Sequence, residues 1–142
     1  MIRVYLAGRM GDYETASRWR QMARMALTDN GIDSVSPVFG PWEGSTPPAL
    51  TPEAVEWPDL RDLATCQYIL VAGGAGSGTG FGLGYAFARK EQGQSGPRQL
   101  LWVSDAGPPP PFIRLWEPRC FDSVEAAVAW LVQEVANGLG GP

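Results

Sequence analysis

Residues 68–90 of the chain read YILVAGGAGSGTGFGLGYAFARK, and this stretch decides the fold. Its first five residues form an apolar run of the kind found in buried strands. The glycine-rich segment 73–80 follows, and residues 81–90 carry the apolar spacing of a helix. A strand that passes through glycines into a helix is the building unit of a parallel α/β sheet.

The same alternation of strand and helix continues on both sides of this stretch. Upstream, residues 2–7 form another β-rich apolar run, and residues 13–29 show helical spacing that stops near Gly31, a suitable left-handed C-cap. The remaining predicted elements are a short strand at 33–38, a long loop at 39–56, a short helix at 59–66, strands at 99–103 and 119–121, and a helix from 122 to about 135. This order predicts a three-layer, Rossmann-like α/β fold, in which a mostly parallel five-stranded sheet has helices on both faces and the first strand at its centre.

The length of 142 residues predicts one domain over residues 1–136, followed by a flexible glycine-rich tail at 137–142. The prolines at 108–111 indicate a stiffened loop. Either Asp122 or Ser123 is placed to cap the last helix.

The carboxyl ends of the predicted strands meet at one edge of the sheet, where ligands of parallel α/β folds bind. The loops at this edge predict a pocket formed by residues 5–12, 39–59 and 73–82. At the glycine-rich segment, bare N–H groups and the positive end of a helix dipole favour a phosphate or carboxylate. A merely flexible turn is the structural alternative.

Two familiar nucleotide motifs are disfavoured. A Walker A loop needs Gly-Lys-Ser/Thr, and Gly78-Thr79-Gly80 lacks the lysine. A dinucleotide fingerprint usually follows the first strand, where this chain has Gly8-Arg9-Met10-Gly11 instead. We therefore expect no cofactor.

The composition excludes several classes of chemistry. The chain has no histidine, which excludes Ser-His-Asp and Cys-His catalysis and the usual zinc sites. Cys66 and Cys120 lie far apart and are predicted to be reduced thiols in or near the core of a cytoplasmic protein. Any reaction must use carboxylates, hydroxyls, backbone amides, arginine or lysine.

The charge and hydropathy restrict the partners. Acidic residues outnumber basic ones by 15 to 11, which argues against binding to a nucleic acid polymer. The apolar runs are far shorter than the ~20 residues of a membrane span, and the first residues lack the pattern of a signal peptide. Six tryptophans and the proline-rich segment 107–112 predict a homodimer.

Four blocks of residues share a pattern that spans nearly the whole chain. They are Tyr5-Leu6-Ala7-Gly8 with Met10, Trp19-Arg20 with Ser36-Pro37, Asp59-Leu60 with Cys66, and Gly78-Thr79-Gly80-Phe81-Gly82-Leu83-Gly84-Tyr85-Ala86. In these blocks the chain resembles the nucleoside 2-deoxyribosyltransferase-like superfamily, which includes deoxynucleoside monophosphate N-glycosidases and CMP hydrolases. The resemblance implies N-glycosidic bond cleavage or deoxyribosyl transfer on a nucleoside or nucleoside 5′-monophosphate, in a pocket commonly completed by a neighbouring subunit.

The last block departs from the family pattern at the residue that carries the chemistry. The pattern is Gly-x-(Gly or Ala)-aromatic-Glu, and Gly82 stands where the catalytic glutamate is expected. A carboxylate is needed to attack the anomeric carbon as the glycosidic bond breaks. Three explanations stay open: an active-site variant of an enzyme, a non-catalytic binder, or an enzyme with a relocated carboxylate. The candidates for relocation are Asp59, Glu53, Glu56 and Asp62.

The resemblance implies catalytic positions at Tyr5, Asp59 and Gly82. The predicted substrate-binding residues are Gly8, Arg9, Met10, Arg20, Ser77, Gly78, Thr79 and Gly80. Arginines can pair with a phosphate through two hydrogen bonds, and the hydroxyls and amides of residues 77–80 surround a helix N-terminus.

Each of these residues also has a plainer interpretation. Tyr5 can be a core residue, Arg20 a solvated surface charge, and Ser77 or Thr79 a helix cap. Trp42 and Trp57, which flank the long loop, can stack on a base or pin that loop to the domain.

Two functions of different classes therefore remain. One is an enzyme that cleaves or transfers at the N-glycosidic bond of a nucleoside or its monophosphate. The other is a binding module that keeps the nucleotide pocket without the chemistry.

Overall fold

The computed structural model describes residues 1–9, 13–36 and 60–138. The strands are β1 (Arg3–Ala7), β2 (Asp33–Val35), β3 (Tyr68–Val71), β4 (Gln99–Val103) and β5 (Arg119–Phe121). The helices are α1 (Tyr13–Thr28), α2 (helical at 60–64), α3 (Ser77–Glu91), α4 (Pro111–Arg114) and α5 (Val124–Ala136), with a 3-10 turn at Ser104–Ala106.

The five strands form one sheet in the order β2-β1-β3-β4-β5, and all of these pairings are parallel. This confirms the predicted three-layer α/β fold. One detail was wrong: β3 occupies the centre and β1 lies beside it. The reason is burial, since all four residues of β3 are buried, whereas the first residue of β1 is partly exposed.

The strands alternate their side chains between two apolar clusters. In β1, Val4 and Leu6 face one cluster, and Tyr5 and Ala7 face the other. Helices α1 and α5 cover the first cluster, through residues that include Ala23, Leu27, Ala127 and Leu131. Helices α2 and α3 cover the second, through Leu63, Leu83 and Ala86. Each fully buried leucine contributes about 1.5–3 kcal/mol to folding, so burial on both faces fixes the strand register.

Helix α3 begins earlier than predicted. The glycine-rich segment was predicted to continue as a loop to Gly80, with the helix starting at Phe81, but the helix already begins at Ser77. Leu83 and Ala86 anchor its later turns in the core, and a helix that is already nucleated extends at little cost. Packing therefore outweighs the poor helix propensity of glycine here.

The segment after β4 also contains structure that was not predicted. The prolines at 108–111 were interpreted as a stiff loop, yet Pro111 opens the short helix α4. Proline suits the first helical position because that N–H has no partner within the helix.

The predicted helix boundaries near Gly31 and Ser123 are confirmed. Gly31 has φ +73°, as a left-handed C-cap requires, and its N–H donates to the carbonyl of Thr28, the last residue of α1, at 3.0 Å. The Ser123 hydroxyl accepts a hydrogen bond from the Ala126 N–H at 3.1 Å, so Ser123 and not Asp122 caps α5.

The two cysteines differ. Cys66 is fully buried, as predicted, and burial raises the pKa of its thiol to about 12. The prediction was wrong for Cys120, which is exposed because β5 is an edge strand. Neither forms a disulfide.

Candidate functional site

The strand order leaves a place for a ligand beyond the carboxyl ends of two neighbouring strands, β1 and β3. Strand β1 pairs with β2 on one side and with β3 on the other, so the chain connections diverge between β1 and β3. In open parallel sheets, ligands bind outside the carboxyl ends of the strands at such a switch point, and flavodoxin-like sheets of order 2-1-3-4-5 follow this rule. We call the space beyond the ends of β1 and β3 the crevice.

Gly8 brings the ends of these two strands into direct contact. It has φ +151°, and a Cβ atom at this position would lie 2.1 Å from the carbonyl oxygen of Ala72. No side chain fits there. The N–H of Arg9 donates to the carbonyl oxygen of Gly74 at 2.9 Å. The predicted meeting of the loop after β1 with the glycine-rich segment is thus confirmed.

The side chain of Arg9 lies over the glycine-rich segment. A Cβ atom on Gly74 would be 3.4 Å from the Arg9 Cβ and 3.8 Å from its Nε. Arg9 is exposed, so its guanidinium stands at the open side of the crevice. This is a position from which it can meet an anionic group.

Arg20 lies behind the crevice and is only 3% exposed. Its guanidinium donates to the carbonyl oxygens of Leu6 at 3.3 Å, Ala16 at 3.2 Å and Gly8 at 3.1 Å. Burial lowers its pKa to about 10, while the nearby Tyr5 opposes the shift. These bonds assign Arg20 to holding the end of β1 in place, which corrects its interpretation as a solvated charge.

Tyr5 is 8% exposed and belongs to the same apolar cluster as Ala7 and Leu83. It thus sits beneath the crevice and close to the Arg20 charge. Its catalytic role stays a prediction.

The first turn of α3 supplies backbone donors at the crevice. Its N-cap is Gly76, a residue without a side chain that could cap the helix. The N–H of Gly80 is bonded to the Gly76 carbonyl, whereas the N–H groups before it precede the first helical hydrogen bond. These donors and the helix dipole suit an anion.

Gly82 lies one turn further along α3 and is partly exposed. A Cβ atom here would be 3.7 Å from Leu63 Cδ2, an ordinary van der Waals contact. The fold therefore does not require glycine at this position.

Asp105 is a site residue that the sequence prediction missed. Its Oδ1 accepts a hydrogen bond from the N–H of Gly73 at 2.9 Å, which brings an exposed carboxylate to the edge of the crevice. The available signal was an acidic residue two positions beyond the predicted strand 99–103, at the carboxyl end where ligands bind.

Of the four candidates for a relocated carboxylate, the structure describes only Asp62. The carbonyl of Asp62 accepts from Thr65, whose hydroxyl in turn accepts from Arg3 at the amino end of β1. Asp62 therefore lies near the amino ends of the strands, opposite the crevice, and is not placed to act on a ligand there. The structure does not describe the other three candidates, Asp59, Glu53 and Glu56, or three further predicted residues, Met10, Trp42 and Trp57.

Two general features of the described residues bear on the function. Within the ranges 1–9, 13–36 and 60–138, no group of three or more histidine, cysteine or acidic side chains is arranged to hold a metal ion. In that same part of the chain, no helix has the length and apolarity needed to cross a bilayer.

Comparisons with known proteins bear on the fold. No protein-family model matches the chain, and no curated protein matches it. A solved structure described as a conserved protein from Enterococcus faecalis is similar, with a TM-score of 0.59 and 13% sequence identity over 94% of this chain and 99% of that one. At this identity the likeness concerns the α/β fold alone.

Proposed function

We propose that the protein binds a nucleoside or nucleoside 5′-monophosphate in the crevice between β1 and β3. One observation carries this proposal: the switch point of the sheet coincides with the N-terminus of α3, whose N-cap is Gly76, and with the tight Gly8 turn. Backbone donors, a helix dipole and an exposed arginine then converge where parallel α/β folds take their ligands. The resemblance of residues 78–86 to the deoxyribosyltransferase-like superfamily supports a nucleoside as the ligand class.

In the proposed complex the anionic end of the ligand rests on the amides of residues 77–80 and on the guanidinium of Arg9. Charge-assisted hydrogen bonds of this kind are roughly twice as strong as neutral ones. The protein's net charge of −4 makes such a local cationic site necessary for an anionic ligand.

N-glycosidic bond cleavage or deoxyribosyl transfer is the second candidate function. Gly82 offers no nucleophile, so an intact protein that used position 82 alone would bind without cleaving. The observation that favours retained chemistry is the carboxylate of Asp105, which lies at the same edge of the sheet. Slow cleavage by a binding protein and full catalysis differ by orders of magnitude in rate, which a direct assay separates.

The test is an incubation with a panel of nucleosides and their 5′-monophosphates, in which binding is measured by calorimetry and released base by chromatography. We expect at least one member to bind and base release to be slow or absent. Binding of no member contradicts the proposal.

Two matched variants locate the site. Arg9→Gln should weaken binding of a monophosphate and spare the free nucleoside, because only the phosphate meets the guanidinium. Arg98→Gln removes an exposed arginine that directly precedes β4, at the amino end of the strand and away from the crevice, and should change neither. Equal effects of the two variants would contradict the placement of the phosphate.

We also propose that the protein acts in the cytoplasm as a homodimer. Two large apolar side chains of the α4 region are strongly exposed, Phe112 at 84% and Leu115 at 62%, and exposed apolar patches commonly mark interfaces. Light scattering should give about twice the chain mass of 15.3 kDa. A particle of the chain mass at all concentrations would contradict the dimer.

A further inference from the structure

The Gly73–Gly74 turn is held from both sides. On the β1 side, the Arg9 N–H donates to the Gly74 carbonyl at 2.9 Å. On the β4 side, the Gly73 N–H donates to Asp105 Oδ1, also at 2.9 Å. Three neighbouring strand ends are thus joined across one short turn, and both of its glycines have positive φ.

The loop that carries Asp105 is itself braced. The indole Nε1 of Trp102, a residue 1% exposed, donates to the carbonyl of Gly107 at 2.7 Å. The Gly107 N–H donates back to Ser104 at 3.0 Å, and the Ser104 hydroxyl donates to the Asp122 carbonyl at 3.3 Å. The Asp105 carboxylate therefore projects from a braced loop, and its bond to the Gly73 N–H holds one of its oxygens at the turn.

The two exposed charged residues at this turn, Arg9 and Asp105, have opposite charges and lie on opposite sides of the turn. The Arg9 side chain covers Gly74, and the carboxylate of Asp105 is bonded at Gly73. Only one carboxylate oxygen of Asp105 is bonded in the part of the chain that the structure describes. A carboxylate repels a phosphate placed beside it and accepts hydrogen bonds from hydroxyl groups.

We infer that Asp105 is a specificity-determining residue of the crevice, which accepts hydrogen bonds from the sugar hydroxyls of the ligand while Arg9 faces its anionic group. This inference rests on the proposed function and adds the orientation of the ligand, with its sugar toward Asp105 and its anionic group toward Arg9. The ligand class it selects is a nucleotide that carries free 2′ or 3′ hydroxyls.

The variant Asp105→Asn separates ligand recognition from support of the turn. The introduced amide oxygen can still accept from the Gly73 N–H, so the turn keeps its bond. The second carboxylate oxygen is replaced by an NH₂ group, which cannot accept a hydrogen bond. The matched control is Asp122→Asn, which removes the same charge from an exposed residue at the end of β5.

The experiment first measures binding of the four common ribonucleoside 5′-monophosphates to the wild-type chain. The tightest of them is then compared with its 2′,3′-dideoxy analogue, on wild type and on both variants. We expect wild type to prefer the ribonucleotide by about tenfold or more, as loss of a hydrogen bond to a charged group implies. Asp105→Asn should bring this ratio close to one, and Asp122→Asn should leave it unchanged.

The outcomes distinguish the two proposals. If wild type binds nucleotides but the ratio is the same in Asp105→Asn, the role of Asp105 is overturned and the proposed function stands. A variant that weakens both ligands equally also overturns it, because support of the turn alone would act in that way. If wild type binds none of the four ribonucleotides, the role of Asp105 is overturned, and the proposed function itself fails only if no member of the full panel of nucleosides and 5′-monophosphates binds.

Discussion

The Nη2 atom of Arg20 donates to the carbonyl oxygen of Gly8 at 3.1 Å, and this bond ties α1 to the last turn of chain before the crevice. The same guanidinium reaches Leu6 and Ala16. A buried cation that donates to three backbone carbonyls contributes to the shape of a site more than to its surface charge.

Arg20→Met should lower the free energy of unfolding by about 2–4 kcal/mol, since it leaves buried carbonyls without their donor. The substituted side chain keeps much of the length and removes the hydrogen bonds. Arg18→Met, at an exposed position on the same helix, should cost less than about 0.5 kcal/mol. Chemical denaturation measures both, and similar costs for the two variants would refute the structural role.

Gly82→Glu should restore or sharply raise N-glycosidic cleavage, by at least about a hundredfold in base release. Leu83 and Ala86 still anchor this part of α3, and a Cβ atom at position 82 makes only an ordinary contact with Leu63 Cδ2 at 3.7 Å. Glutamate is also a better helix former than glycine, by up to ~1 kcal/mol, so the variant should fold.

Gly82→Gln is the control for this variant, because it adds the same bulk without a nucleophile. Rapid cleavage by the unaltered chain would mean that another carboxylate has taken over, with Asp59 and Asp105 the residues to replace next. If Gly82→Glu neither binds a nucleotide nor cleaves one, the nucleotide interpretation is refuted.

Gly8→Ala should destabilise the protein by more than about 3 kcal/mol. Its Cβ would stand 2.1 Å from the Ala72 carbonyl oxygen, and backbone must shift to relieve this. Gly31→Ala has unfavourable φ but no atom within 4 Å, so it should cost only about 1 kcal/mol. Thermal unfolding compares them, and equal losses would show that the contact with Ala72 is unimportant.

The two thiols should react at very different rates. In the native protein an aromatic disulfide reagent at pH 8 should modify one equivalent, exposed Cys120, and a second only on unfolding. Cys66 is shielded, and its pKa is raised from 9.0 to about 12. Because the pKa of the Cys66 thiol is higher in the folded chain than in the unfolded chain, the stability gained from its protonated form is complete below pH 9.0. That stability declines as the pH rises toward 12. Cys120→Ser should abolish the fast reaction; two fast equivalents would contradict the burial of Cys66.

Much of the fold follows from local patterns in the sequence. The strands at 99–103 and 119–121 occur at the predicted residues. For 99–103 the reason is that a short apolar run between turn residues has few other ways to be buried. The start of α3 was misplaced because glycines predict a loop, while the packing of Leu83 that overrides them depends on the rest of the fold.

The sequence predicted only those features of the site that follow from the order of strands and helices along the chain. Parallel strands end at one edge, so the meeting of Gly8 with the glycine-rich segment followed from the strand assignment. The contact of Asp105 with Gly73 depends on β4 being the neighbour of β3, and the burial of Arg20 depends on how α1 crosses the sheet. Neither relationship leaves a periodic signal in the sequence.

The parallel pairing of β1 with β3 also determines when the crevice is assembled during folding. The Arg3 N–H bonds to Gln67, 64 residues along the chain, and closing a loop of that length costs about 3–4 kcal/mol of entropy before any contact repays it. The pairing of β3 with β4 spans about half that distance and is expected to form sooner. Folding-rate measurements should therefore give a low φ-value for Val4→Ala and a higher one for Leu101→Ala. We therefore expect the chain to gain its ligand site late in folding, and a ligand present during folding to stabilise the product without accelerating its formation.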